Sequence, residues 1–217
     1  MPNETRIGRG FDIVSPFYDL CVYLAFGNTL NELQYEALND ITKSEKCLII
    51  GGGSGKVLRS CLDLKVAVHY SYCELSKSMI IKTKARLTQT EISMVTFYQD
   101  WKTTTPDFDL IVLPFVLDCY TDIEVSRMLK NLSKKLSPNG HVLIVEFNEE
   151  SIDGFEAKWW QRGFIKLLYL FFGIVAGVKT KILPPIFKIA EESNLTLKNR
   201  WARKAGWIQA SFWQFTT

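Results

Sequence analysis

The sequence predicts an α/β fold: a doubly wound sheet of seven strands, mostly parallel, that ends in an antiparallel hairpin strand and carries a helical cap. Three observations predict it. Short apolar runs alternate with helical segments between residues 46 and 147, the pattern of a parallel sheet covered by helices on both faces. Glycines cluster at 51–55, directly after the first of those runs. Near the end, Thr196–Arg203 and Trp207–Phe215 flank Lys204-Ala205-Gly206 and predict the closing hairpin.

Taken in order, residues 11–26 and 30–42 predict two helices separated by Gly27-Asn28. Lys46–Ile50 is a short apolar run stopped by Gly51, as expected of a parallel strand buried on both faces. A helix is expected over 56–62. Val66–Glu74 has strand composition, and Ser76 is placed to cap a helix reaching about residue 87. Met94–Gln99 and Phe108–Leu113 are the third and fourth strand candidates, and a helix is expected near 122–136. Ser137-Pro138-Asn139-Gly140 predicts a turn, because proline presets one dihedral and Asn and Gly accept positive φ. His141–Phe147 is the fifth strand, and 154–177 and 184–193 read as helical.

Composition narrows the function classes. The 217 residues suit one domain, here 1–217, with the helices of 10–42 and an insertion at 151–193 expected to form the cap. Lys and Arg number 26 against 23 Asp and Glu, a net charge of +3 that implies no nucleic-acid partner. Five cysteines without C-x-x-C spacing predict reduced thiols and a cytoplasmic location rather than a disulfide frame. With His69 and His141 as the two histidines, no metal site is expected. The polar stretch Met1–Arg9 predicts no secretory signal. Leu167–Val178 is apolar but bounded by Lys166 and Lys179. It falls short of the about 20 residues of a membrane span, which leaves a buried helix, a lid, or peripheral contact with a membrane.

Gly51-Gly52-Gly53-Ser54-Gly55 lies where ligands bind in open α/β sheets, at the carboxyl ends of the strands. A Walker A loop fails at Ile50 and Val57, which occupy its first glycine and its Ser/Thr position. A dinucleotide G-x-G-x-x-G is broken by Lys56. G-x-G-x-G fits at Gly51, Gly53 and Gly55, as does a plain tight turn. Glu74 ends the second strand about 20 residues later, where an acid accepts hydrogen bonds from ribose hydroxyls. Loop and acid together point to a nucleoside-containing cofactor.

These residues resemble the class I methyltransferases that use S-adenosyl-L-methionine (SAM). Cys47–Gly55 is similar to their first motif, Glu74-Leu75-Ser76 with Met79-Ile80 to the second, and Gln99-Asp100-Trp101 to the acid beside the adenine. Phe108–Val112 and Leu136–Gly140 resemble the fourth-strand motif and the turn before the fifth strand. Phe11-Asp12-Ile13, Phe17-Tyr18-Asp19-Leu20, Phe26-Gly27 and Val145-Glu146-Phe147 resemble the ubiquinone/menaquinone-biosynthesis group. Ile49 stands where the family has Asp, Asn139 replaces a turn glycine, and the group's Trp-Arg after Phe26-Gly27 is absent.

The resemblance implies a Rossmann-like fold and a set of roles. Gly51, Gly52, Gly53 and Gly55 would shape the methionine side. Glu74 would bind the ribose, Leu75 and Trp101 would pack on adenine, and Asp100 would bind its amino group. Leu113 and Pro114 would border the methionine end, and Tyr18 would approach the cofactor from the N-terminal helix. Base candidates for the acceptor are Tyr18, Asp118 and Glu146, with Asp19 a further carboxylate. His69 and His141 sit at the amino ends of their strands and read as structural. Aromatic residues make up 13%, and five of the six tryptophans follow residue 150. That predicts a hydrophobic small-molecule acceptor: phenolic, quinone-like or a polyene-linked aromatic. The alternatives are N-methylation of a phospholipid headgroup at a membrane surface, and a non-catalytic SAM-fold binding protein.

Overall fold

The computed structural model describes residues 2–148, 184–204 and 206–215. In chain order they form α1 (Pro2–Phe26), α2 (Thr29–Asp40), β1 (Ser44–Ile50), α3 (Lys56–Asp63), β2 (Ala67–Cys73), α4 (Lys77–Ala85), α5 (Gln89–Ser93), β3 (Val95–Tyr98), β4 (Phe108–Pro114), α6 (Asp122–Ser133), β5 (Leu136–Phe147), α7 (Ile186–Glu192), β6 (Leu195–Arg203) and β7 (Ile208–Phe215). Two short 3-10 turns, Trp101–Thr103 and Leu117–Cys119, follow β3 and β4.

The seven strands run in the order β3-β2-β1-β4-β5-β7-β6. β1 pairs in parallel with β2 and β4, β2 with β3, and β4 with β5. β7 returns antiparallel between β5 and β6, as the closing hairpin predicts. The order reverses between β1 and β4, which opens a crevice beyond their carboxyl ends.

Burial explains why the β1 run is continuously apolar. Cys47 and Ile49 enter the core that α2 and α3 cover, through Leu33, Ala37, Leu38, Leu58 and Cys61. Leu48 and Ile50 enter the opposite core with Val125, Leu129 and Leu132 of α6 and Ile189 and Ala190 of α7. Neighbouring residues point to opposite faces, so a strand buried on both faces needs an unbroken apolar run. On α2 the buried positions 30, 33, 34, 37 and 38 trace one helical stripe. Trp201 on β6 donates its indole N–H to Asp40 at 2.8 Å and fastens the end of α2 to the hairpin.

One expectation is corrected. Ser137-Pro138-Asn139-Gly140 is not a turn ahead of the fifth strand but lies within β5, which starts at Leu136. The pairing passes from Phe108↔Leu136 to Leu110↔His141, so the four residues form an excursion inside the strand. The Ser137 hydroxyl donates to Asp109 at 3.0 Å and holds it against β4. The local preference for a bend is met, but between two stretches already paired to β4. Helix boundaries also shift: α1 covers residues ahead of position 11, and α6 stops at Ser133. The helix expected over 154–177, and with it most of the 151–193 cap, lies outside the described residues.

Candidate functional site: a cleft at the carboxyl ends of the strands

The glycine loop is shaped by backbone that other residues resist. Gly51, Gly53 and Gly55 have φ of 74°, 60° and 87°, in the left-handed region that glycine enters without penalty. Gly52 meets a different demand: a Cβ there would lie 2.3 Å from the Tyr72 ring. Gly55 is also the residue from which α3 begins, so the free N–H groups of that helix face the loop.

Glu74 follows β2 and is buried. Its Oε2 accepts the N–H of Gly53 and its Oε1 the N–H of Ser76, both at 2.9 Å. Burial pushes its carboxyl up to about 7 although three backbone N–H bonds act the other way. Each carboxylate oxygen accepts more than one hydrogen bond, so acceptor capacity remains on a side chain that lines the cleft. Ser76 caps α4 as expected, accepting the Met79 N–H at 3.1 Å.

The cleft encloses about 730 Å³, its open mouth included, and is walled by Ile50, Leu75, Met79, Gln99, Trp101, Val116 and Tyr120 among others. Asp100 stands on its wall and accepts the Lys102 N–H at 2.9 Å. A second, smaller cavity lies on the other side of the loop, bordered by Gly51–Ser54, Asn31, Gln34, Lys56, Pro114 and Phe115. Tyr18 and Phe115 line both cavities. Phe115 holds φ at 53°, a conformation that costs a bulky residue energy and is found where surroundings enforce it.

α1 roofs this region through two aspartates. Asp12 accepts the Ser76 hydroxyl at 2.6 Å and the Ser78 N–H at 3.0 Å. Asp19 accepts the Ser54 hydroxyl at 2.6 Å, pairs with Arg86 at 2.6 Å and lies 3.5 Å from Lys56. Burial works against both charges, but these bonds and cations hold each carboxyl below its ordinary range. Tyr18 is thereby set above the loop, 3.8 Å from where a Gly53 Cβ would be, and edge-on to Phe11 at 6.2 Å.

Residues 48–142 match the model of a family described as a methyltransferase domain. No curated protein sequence matches the chain significantly. Among solved structures, the mitomycin 7-O-methyltransferase MmcR superposes with a TM-score of 0.69 at 16% identity, over 95% of this chain and 60% of its own. A chain of the complex between the Haloferax volcanii Trm112 methyltransferase activator and the putative methyltransferase gives 0.69 at 11%, over 95% and 98%. Human N-acetylserotonin methyltransferase, solved with SAM, gives 0.59 at 16%, over 90% and 58%. This chain thus spans about 60% of the length of the first and last of these. The shared feature is the fold, Rossmann-like with antiparallel C-terminal strands.

Of the residues singled out in the sequence, Tyr18, Gly51, Gly53, Glu74, Leu75, Asp100 and Trp101 meet around the larger cleft. Gly52 and Pro114 border the smaller cavity instead. Leu113 is fully buried in the core beneath α6, and Gly55 packs toward Thr83. Glu146 is fully buried, and its Oε1 accepts the Leu117 N–H at 2.7 Å. Asp118 accepts the Cys119 thiol at 3.4 Å. Burial raises the carboxyls of both, and the charge of Asp118 raises Glu146 further. His69 is exposed on β2, and His141 stacks on Phe212 at 4.6 Å, away from the cleft. Sequence reasoning missed Phe115, Val116, Cys119 and Tyr120 as wall residues. Their one signal was position, directly after β4 on the side where the strand order reverses.

Among the described residues no cluster of His, Cys, Asp and Glu fits a metal ion, and no helix is long and apolar enough to cross a membrane. Among the described residues, Cys47, Cys61, Cys73 and Cys119 are in no disulfide.

Proposed function

We propose that the protein binds SAM in the larger cleft and transfers its methyl group to a hydrophobic small molecule. The observation that carries this reading is Glu74, a buried acid at the end of β2 with unused lone pairs on the cleft wall, fixed to the glycine loop through Gly53. That donor and acceptor set fits a ribose, and Leu75, Trp101 and Asp100 beside it fit an adenine. The methyltransferase-domain match over the same strands supports the reading.

When bound, SAM supplies a methyl on a sulfonium, open to in-line displacement by a nucleophilic oxygen, nitrogen or carbon. The chain's own contribution is placement and the exclusion of water. Gly51–Gly55 let backbone come close to the methionine side, α1 covers it through Asp12 and Asp19, and Tyr18 and Phe115 occupy the boundary between the two cavities. For a phenolic acceptor, Asp118 is the better base, because it stands between the wall residues Val116 and Cys119 while Glu146 is fully buried. Burial and the charge of Asp118 raise the Glu146 carboxyl, and its Oε1 holds the Leu117–Cys119 turn in place by accepting the Leu117 N–H.

The apolar cleft walls and the solved neighbour named for mitomycin 7-O-methylation support a small aromatic acceptor, with quinone-like phenols first. Incubation with methyl-labelled SAM and a panel of phenols and hydroquinones tests this. Label is expected in an apolar product, and no transfer to any member by SAM-bound protein would favour the non-catalytic alternative. Phospholipid-headgroup methylation has one observation in its favour: Ile13, Phe17, Leu20 and Leu24 form an exposed stripe on α1. Flotation with anionic liposomes separates the two readings, since a small-molecule enzyme stays unbound.

A further inference from the structure

We propose that Tyr72 is a positioning residue, whose phenol hydroxyl fixes the Gly53 peptide and with it the glycine loop and Glu74. The inference rests on the cofactor reading above for its consequence and on hydrogen-bond geometry for its substance.

Ile49 and Tyr72 are neighbours across the β1–β2 pairing and lie in the same core. Ile49 is fully buried and brings no polar atom to the underside of the loop. Tyr72 is equally buried, but its hydroxyl reaches past the end of the strand to the Gly53 carbonyl at 2.8 Å. Thr83 Oγ1 is 3.3 Å from that carbonyl and 3.3 Å from the Tyr72 hydroxyl, and 2.9 Å from the Met79 carbonyl. Each hydroxyl has one proton. By distance, that of Thr83 goes to Met79 and that of Tyr72 to Gly53, so Tyr72 is the donor that satisfies the Gly53 carbonyl.

The consequence reaches the cleft because the same glycine is held at its other polar atom. Gly53 N–H donates to Glu74, so one residue is pinned by Tyr72 at its C=O and by Glu74 at its N–H. Gly52 and Gly55 complete the fit, since a Cβ on either would collide with Tyr72 or Thr83. Without the phenol hydroxyl the half-buried Gly53 carbonyl loses its nearer donor, which backbone relieves by moving. The Gly53 N–H then turns from Glu74, a bond that favours the ionised carboxyl is lost, and Glu74 titrates higher. Among the described residues, the groups that bear on Glu74 electrostatically include Asp12 and Tyr18 from α1, Tyr72 from β2 and Cys119 after β4. None of them is a cation that would offset the loss.

The test compares Tyr72→Phe and Thr83→Val with the wild-type chain by Gly53 amide exchange, the NMR titration midpoint of Glu74 and SAM calorimetry. Y72F is expected to speed Gly53 exchange about tenfold, raise the Glu74 midpoint and weaken SAM about tenfold, with T83V well below each effect. Unchanged Gly53 exchange and Glu74 midpoint in Y72F, or equal effects in T83V, would overturn the inference. The wild-type chain gives a variant-free check. A protected Tyr72 hydroxyl proton in contact with Gly53 is expected, and a freely exchanging one overturns the assignment. If Gly53 and Glu74 respond as expected but the wild-type chain binds no SAM, the positioning role stands and the cofactor reading fails.

Discussion

Glu74 Oε2 accepts the backbone N–H of Gly53 at 2.9 Å, joining the end of β2 to the glycine loop that follows β1. The bond ties the acid proposed to hold a ribose to the loop proposed to hold the methionine. Its strength depends on the charge of a buried carboxyl whose titration burial pushes up to about 7.

Stability should therefore depend on pH in an unusual sense for an acid. The folded carboxyl is raised from 4.5 to about 7, so between those values the folded chain holds a proton that the unfolded chain has released. The contribution of Glu74 is fully favourable below about 4.5 and falls as pH rises toward 7, by about 3 kcal/mol in all. Glu74→Gln should flatten this slope in urea titrations across that range. Cofactor affinity should run the opposite way, rising through about pH 7 as the carboxylate forms, and E74Q should lower it at pH 8.

Gly52→Ala places a methyl against the buried Tyr72 ring. Overpacking of this kind costs about 1–3 kcal/mol. Gly27→Ala has open space and a positive φ of 60°, so its cost is limited to backbone strain, about 1–2 kcal/mol. Thermal unfolding measures both costs, and cofactor affinity separates the variants: G52A alone should lose it, because its clash lies under the loop.

Asp12→Asn with Asp19→Asn should free α1 without unfolding the sheet. These ties lie at a partly exposed rim, so global stability should change by less than about 1 kcal/mol. Amide exchange over residues 8–24 should rise strongly while β1 and β4 stay protected. Both carboxyls are held below their ordinary range. The ties are thus complete above pH 4 and released as pH falls through the lowered values, so acid should loosen α1 before the core.

How much of this was legible follows from burial. Leu48 and Ile49 announce β1 because a strand covered on both faces has no polar position. The hairpin was legible because Lys204-Ala205-Gly206 breaks two strand-like runs. The excursion at 137–140 was not, since Ser-Pro-Asn-Gly has the same local preference whether it ends a helix or interrupts a strand. Pairing of Leu136 with Phe108 decides it. Glu74 was readable from spacing, and the methyltransferase resemblance pointed to Trp101. Phe115 and Cys119 were not, because wall residues after β4 are selected by the crossover and carry no pattern of their own. Tyr72 looked like ordinary strand composition, and its role appears once β1 and β2 are in register.

Asp118→Asn should lower turnover of a phenolic acceptor by about 10²–10⁴-fold, the range for loss of a general base, while leaving SAM affinity unchanged. Glu146→Gln should retain most of that turnover, because an amide oxygen still accepts the Leu117 N–H. Steady-state kinetics of the two variants distinguish the base from the residue that holds its turn.

The most direct test of the central claim is isothermal calorimetry of SAM with the purified, folded chain at pH 8. Saturable binding at one site is expected, weakened by Glu74→Gln and competed by S-adenosylhomocysteine but not by NAD. Absence of binding at millimolar SAM, with the fold verified by circular dichroism on the same sample, would contradict the claim.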